Sequence, residues 1–277
     1  MRTFTLINND GETYDITTKN HVFFYGIDGL GYSHDTTFQR IEDRFAVLSK
    51  SIKQGVIKGT IHFWQPDAEL EYFKFAQFCQ NSPIRMKYNP GHGEFVRDGL
   101  ITNISRSDGK GDSLEIEVEF KAQTPWYKLV SQYNDGIIVG GKVYDYEYDY
   151  TYSSAVVNAV SIDSDSFQSS PCKLIIYGPA TNPSWRFYLN NILQTSGKIN
   201  GSVLANHKLV IDTTTIPYSI KQFDMSGNEV SDMYQQSDFA TGRFIRLGKG
   251  RNTIAVQADN TNKLNVGVEA QIEYATV

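Results

Sequence analysis

Residues 113–121 read SLEIEVEFK, and this strict alternation constrains the fold more than any other stretch of the chain. Leu114, Ile116, Val118 and Phe120 fall on one side; Glu115, Glu117 and Glu119 fall on the other. Successive side chains of a β-strand point to opposite faces, whereas a helix repeats every 3.6 residues. The pattern therefore predicts a strand with one face in a core and one in water, as antiparallel sheets allow. A similar pattern holds at VIKGTIHFW (56–64), where Ile57, Ile61 and Phe63 share a face. TFTLI (3–7) leads into NDGET, an Asp-Gly turn signal. IRMKYNPGHGEFVRDGLITNI (84–104) reads as two or three short strands with turns at Pro-Gly and Asp-Gly.

One helix stands among the strands, at QPDAELEYFKFAQFCQNSP (65–83). Pro66 suits the first helical position, where an N–H is not needed. Asp67, Glu69 and Glu71 suit the positive end of the helix dipole. Leu70, Phe73, Ala76, Phe75 and Cys79 are the expected apolar face, and Asn81 and Pro83 the stop. A lone helix of this kind is expected to pack across the edge or face of a sheet.

The period fails over residues 125–142, where Pro125 and three glycines interrupt TPWYKLVSQYNDGIIVGGK. A domain boundary is placed there, giving domains 1–133 and 134–277. The second half holds CKLIIYG, WRFYLNN, KLVIDTT, RFIRLGKG, NTIAVQA and VGVEAQIEY between turn signals, the spacing of an antiparallel sandwich. The expected fold is mainly β: two antiparallel β-sandwich-like domains, the first with a single short α-helix. A chain of 277 residues is long for one core and comfortable for two.

Little in the sequence points to catalysis. His21, His34, His62, His92 and His207 form no i, i+4 pair and have no nearby cysteine, so no zinc site is expected. GIDGLG (26–31) lacks the strand–helix context of a phosphate loop and reads as a turn. Asp163 and Asp165 have calcium-loop spacing but no closing Glu, and read as a solvated loop. There is no G-x-S-x-G stretch. No enzyme activity, metal or cofactor is expected. Cys79 and Cys172 are too few and too far apart for a disulfide scaffold. The net charge of −5, spread over both halves, gives no general attraction to nucleic acid. No stretch reads as a signal peptide or membrane span, so a soluble chain made in the cytoplasm is expected.

Two features remain. Arg40, Arg44, Lys50, Lys53 and Lys58 form a basic run, read either as a solvated face or as the positive side of a subunit contact. In KVYDYEYDYTY (142–152), Tyr144, Tyr146, Tyr148, Tyr150 and Tyr152 occupy alternate positions. Such a row would span roughly 26 Å as a strand. Three readings stay open for it: an edge strand covering the second domain's core, a subunit or domain interface, and a sugar-binding platform. Trp185 and Tyr188 are candidate glycan contacts if the second domain binds sugar.

In its order of motifs the chain resembles the distal tail protein (Dit) family of long-tailed, non-contractile bacteriophages. The first half carries the resemblance from Arg40 through SIKQGVIKGTIHFWQPDAELEYFKFAQFCQ, PIRMKYNPG, VRDGLITNISRSD and LEIEVEFKAQTPWY. The second half adds the Tyr-x-Tyr-x-Tyr run, GPATNPSWRFY, KLVIDTT and FIRLGKGRNTIAV. The resemblance implies a virion tail-tip protein assembled in the bacterial cytoplasm. The N-terminal domain would form a homo-hexameric ring, and the C-terminal domain would be a galectin-like or carbohydrate-binding-module-like sandwich. The implied partners are the tail tube protein, the tail-associated lysin or tail-tip protein, and receptor-binding proteins in some members. Nucleic acid and membrane insertion are not among them. A carbohydrate-binding protein recognising cell-wall glycan through the C-terminal domain is the alternative reading.

Overall fold

The computed structural model describes residues 2–17, 22–64, 67–106, 113–134, 137–138, 156–261 and 263–277. The chain divides into two compact units, residues 1–128 with 274–277, and residues 129–273. The division falls a few residues before the break placed from the sequence, because 126–134 is a strand and not a linker.

In the first unit the elements run β1 (Thr3–Ile7), β2 (Thr13–Asp15), β3 (Val22–Asp28), β4 (His34–Ile41), β5 (Arg44–Ile52), β6 (Val56–Phe63), α1 (Ala68–Gln80), β7 (Ile84–Asn89), β8 (Phe95–Arg106) and β9 (Leu114–Ala122). β10 (Trp126–Asn134) follows and runs on into the second unit. Seven of these strands form one antiparallel path, β2–β1–β7–β8–β9–β6–β3. The alternation at 113–121 does what it predicts: Leu114, Ile116, Val118 and Phe120 are buried, and Glu115 and Glu117 are exposed. Opposite them, Ile57, Ile61 and Phe63 of β6 are buried in register, Ile61 against Ile116 and Ile57 against Phe120. Each such side chain contributes roughly 1.5–3 kcal/mol by leaving water.

The Asp98-Gly99 step is not the turn expected from the sequence. It lies inside β8, which changes partner at that point: Gly99 stands opposite Ile84 of β7 on one side and Ala122 of β9 on the other. A Cβ at Gly99 would lie 2.4 Å from the Lys121 carbonyl oxygen and 2.6 Å from the Phe120 ring. Glycine is there to let two strands and a phenyl ring approach the backbone.

Helix α1 packs on this sheet through a face rotated from the expected one. Ala68, Phe75, Phe78 and Cys79 are buried, while Leu70 and Phe73 are exposed. The buried stripe follows positions 68, 75 and 79 of one helix face, with Tyr72 half-buried between them. Aromatic contacts fix this rotation. Phe75 meets Phe63 at 5.9 Å and Tyr14 at 5.2 Å, and Tyr14 also meets Phe78 at 5.5 Å. Beneath the sheet's other end Phe4 stacks on Tyr88 at 4.5 Å.

The later elements are β11 (Ile137–Ile138), β12 (Val156–Val157), β13 (Ala159–Ser164), β14 (Ser170–Tyr177), β15 (Ala180–Thr181), β16 (Ser184–Leu189), β17 (Ile192–Lys198), β18 (Ser202–Val203), β19 (His207–Asp212), β20 (Ser219–Asp224), β21 (Glu229–Asp232), β22 (Arg246–Leu247), β23 (Gly250–Gln257) and β24 (Val266–Tyr274). A 3₁₀ turn, Tyr234–Gln236, follows β21. One sheet runs β13–β23–β16–β17 and another runs β24–β14–β19–β20–β21, all antiparallel. Alternating residues of both are buried: Val160, Ile162, Trp185, Phe187, Ile254 and Val256 from the first, and Leu174, Ile176, Leu209, Ile211, Val268 and Ile272 from the second. Asp163 lies in β13 opposite Arg251, so the expected loop at 161–166 begins only after Ser164.

The rotated helix gives a direct test. Phe75→Ala removes a ring with no exposure and should cost about 3–5 kcal/mol. Phe73→Ala removes a ring that is 57% exposed and should stay within about 0.5 kcal/mol of wild type. Urea melts of the two variants decide it; equal losses would mean that the face assigned here is wrong.

Candidate functional site

The most exposed element of the first unit is the hairpin of β4 and β5. Its strands pair only with each other among the described residues. Glu42 turns it in the left-handed region, at φ 53°. Arg40 braces the turn: its Nε donates to the Glu42 carbonyl at 2.8 Å, and its Nη2 lies 3.7 Å from Asp43 Oδ1. Every residue of β5 is exposed. Phe38, Ile41, Phe45, Val47, Leu48 and Ile52 are apolar and between 45% and 70% exposed. Phe38 pairs with Val47 and Arg40 with Phe45, so these four share one face of the ribbon. Arg44 pairs with Ile41 on the other face. Arg40 and Arg44 thus stand among apolar groups at the hairpin's tip.

Lys53 sits at the root, where its N–H donates to the Ser33 carbonyl at 2.9 Å. The chain then anchors to the sheet: the Gly55 carbonyl accepts from Ala122 N–H at 2.9 Å, and Gln54 Nε2 donates to the Ala122 carbonyl at 2.9 Å. Gly55 lies against Arg97, and a Cβ there would come within 2.0 Å of Nη2. Arg97 is buried, stacks over Trp126 at 5.3 Å and donates from Nε to the Thr124 carbonyl at 2.9 Å. Burial pushes its pKa down to about 10, which leaves it charged at neutral pH. Next to it, Asp98 accepts from Arg85 Nε at 2.8 Å and from the Tyr127 hydroxyl at 2.5 Å. The hairpin therefore leaves the unit from a rigid polar base.

The sequence drew attention to the basic residues here and missed the apolar ones beside them. FAVL (45–48) lacks alternation, so nothing in it distinguishes a buried strand from a bare one. The tyrosine row Tyr144, Tyr146, Tyr148, Tyr150 and Tyr152 lies outside the described residues. Trp185, a candidate glycan contact if the second domain binds sugar, is 1% exposed, and its Nε1 donates to the Arg243 carbonyl at 2.9 Å. It is a core residue because it lies with Phe187 on the inward face of β16, while Arg186 between them is exposed. Tyr188, on the same strand, is half-buried.

Among the described residues no group of three or more His, Cys, Asp or Glu side chains is placed to hold a metal ion. No helix among them is long and apolar enough to cross a membrane. His62 lies 3.5 Å from Glu115 through Nδ1 and packs edge-on against Trp64. Both cysteines are free and buried, and burial pushes each thiol up to about 12.

Comparison with known proteins agrees with this architecture. Residues 3–123 match the family model described as distal tail protein, N-terminal domain. Among solved structures, the chain is similar to one from the phage P2 baseplate in its activated conformation with calcium: 15% identity, TM-score 0.69, and all of both chains covered. The same baseplate with strontium gives the same values. The chain is also similar to the SPP1 Dit protein (gp 19.1), described as a paradigm of hub adsorption apparatus in phages infecting Gram-positive bacteria. There the identity is 12% and the TM-score 0.61, over 96% of this chain and 98% of that one. Curated protein sequences give no match. The chain shares the β-rich fold of these phage baseplate and hub proteins. More particularly, residues 3–123 are similar to the N-terminal domain of distal tail proteins.

A thiol this deeply protonated is a poor nucleophile. Native protein at neutral pH should therefore leave a thiol reagent unreacted for as long as it stays folded, and both cysteines should titrate once it is denatured. Rapid labelling of the native protein would mean that Cys79 or Cys172 is reachable and active.

Proposed function

We propose that the protein is a non-enzymatic structural hub of a phage tail tip, in which copies of the first unit join into a hexameric ring. The β4–β5 hairpin is the observation that carries this reading. A two-stranded ribbon is marginally stable alone in water, and this one exposes a row of large apolar side chains and two free strand edges. Such an element gains its stability by lying against another surface. A second copy is the natural surface, since contacts of the head-to-tail kind close into rings. Arg40, Arg44 and Lys53 would then meet acidic groups of the neighbour, giving the contact its register.

In this reading the ring joins the tail tube protein to the tail-associated lysin or tail-tip protein, with receptor-binding proteins as further partners. The domain roles follow: ring formation in residues 1–133, and an outward-facing sandwich in 134–277. The protein would be made and assembled in the host cytoplasm. The tyrosine row, if it is an interface, would belong to the second domain's contacts.

Light scattering of the purified chain over a range of concentrations, with negative-stain images, tests the ring. A six-fold particle is expected. Phe45→Ser with Val47→Ser should reduce it to monomer while the melting temperature holds. Assembly that persists in this variant would remove the hairpin from the contact, and a monomer at every concentration would overturn the ring itself.

A further inference from the structure

We propose that the second unit carries a docking site for a carboxylate of a protein partner, with Arg243 as the anchor and the rings around it as the seat for an adjoining apolar residue. Arg243 Nε and Nη1 are buried with no hydrogen-bond partner among the described residues. Thr195 Oγ1, which a Cβ at Gly242 would approach to 2.3 Å, is buried and unpartnered in the same way. A charged donor held without an acceptor is costly, and a ligand that brings the acceptor removes that cost.

Rings surround the guanidinium. It lies 4.4 Å from the centroid of Phe239, 5.4 Å from that of Tyr234 and 6.0 Å from that of Phe244. Aromatic faces attract a cation, but they give its N–H groups no oxygen to bond. Arg246, three residues further on, shows the contrast. Its Nε donates to Ser169 Oγ at 3.1 Å, its Nη1 to the Tyr218 hydroxyl at 3.3 Å, and its Nη2 lies 3.8 Å from Glu273. Lys221 is likewise paired, with Glu229 at 2.8 Å. Of these three cations it is Arg243 whose donors are unused.

The backbone holds the anchor still. Arg243 adopts a φ of 53°, in the left-handed region that residues with a side chain seldom occupy. Its N–H donates to the Ser196 carbonyl at 3.0 Å, and its carbonyl accepts from Nε1 of the buried Trp185 at 2.9 Å. Strain of this kind collects at ligand clamps, where the surrounding structure fixes it. Arg243 is half-buried, and Phe239, the nearest of the three rings, is 55% exposed. A ligand therefore reaches the guanidinium by turning the Phe239 ring aside.

The chemistry of this corner selects the ligand. One guanidinium matches one carboxylate through parallel N–H···O bonds. A phosphate would bring more charge than a single cation offsets. It would also meet the Asp232 carboxylate, whose Oδ1 accepts from Tyr234 N–H at 2.8 Å. Tyr234 and Phe244 also line a cleft of about 600 Å³ with Pro217, Tyr218 and Ile220. That space takes an apolar side chain next to the acid. The fitting partner is an extended protein segment with Asp or Glu beside an aromatic or aliphatic residue. The assignment stands on this unit alone and is independent of the ring.

NMR of the arginine Nε–H groups in the full-length protein tests it. The probe is the peptide acetyl-Leu-Glu-Phe-amide; acetyl-Leu-Gln-Phe-amide and inorganic phosphate are the contrasts. The Glu peptide should shift the Arg243 signal, and the Gln peptide should bind about tenfold or more weakly, for want of the charge-assisted pair. Phosphate should leave the signal in place. Arg243→Gln should abolish peptide binding while the melting temperature holds or rises, because it removes a charge whose donors have no acceptor. Phe239→Ala should bind the Glu peptide roughly threefold or more tightly, since no ring then has to move. No shift of the Arg243 signal with the Glu peptide, equal binding of the two peptides, a shift with phosphate alone, binding that survives Arg243→Gln, or weaker binding in Phe239→Ala would each overturn the proposal.

Discussion

The first unit depends on one strand, β8, that changes partner along its length. β8 pairs with β7 through its first half and with β9 through its second, and Gly99 is where the exchange occurs. At that point the Lys121 carbonyl and the Phe120 ring occupy the space of a side chain. The consequence reaches beyond local packing. Because β9 continues the path from β8, the β6 strand can pair on its far side, and Ile61 and Ile116 meet in the core. The root of the hairpin is tied to the same place, through Gly55 and Ala122.

That dependence explains why the hairpin projects from a firm base while offering no core of its own. Arg97 supplies the wall against which Gly55 rests, and its charge is offset by a carbonyl and by the face of Trp126, not by a carboxylate. Asp98 is already engaged by Arg85 and Tyr127. Arg97 Nη1 is buried without a hydrogen-bond partner among the described residues, so the Nε bond and the ring face hold the guanidinium. The result is a stiff socket from which an apolar ribbon extends.

Much of this was legible in the sequence wherever one face of a strand is wet. Alternation at β9 and β6 identified both the strands and the side of each that is buried. Legibility failed where that contrast vanishes. Trp126 and Tyr127 are adjacent and both fully buried, so β10 shows no period and reads as a break. The helix has apolar residues most of the way round, and only Tyr14 and Phe63, distant in sequence, select Phe75 over Phe73. Trp185 is a related case: β16 carries aromatic residues on both faces, Trp185 and Phe187 on one and Tyr188 on the other, so the sequence does not say which face is the inner one.

The exposed apolar residues of helix α1 and of the hairpin differ in kind, and the difference bears on the proposed ring. Leu70 and Phe73 stand on a helix whose other face is already anchored, so that element is stable without a partner. The hairpin has no such anchored face among the described residues, and in the proposed ring its fold and its contacts would form together. Coupling of this sort makes assembly sensitive to concentration, because the ordering cost of the ribbon is met only when a neighbour is present. A closed ring repeats that gain at every junction, while an open chain leaves one ribbon uncovered at its end. In the proposed ring, closure would be favoured over partial assemblies by the same exposed residues, Phe38, Phe45 and Val47, that leave the isolated hairpin uncovered.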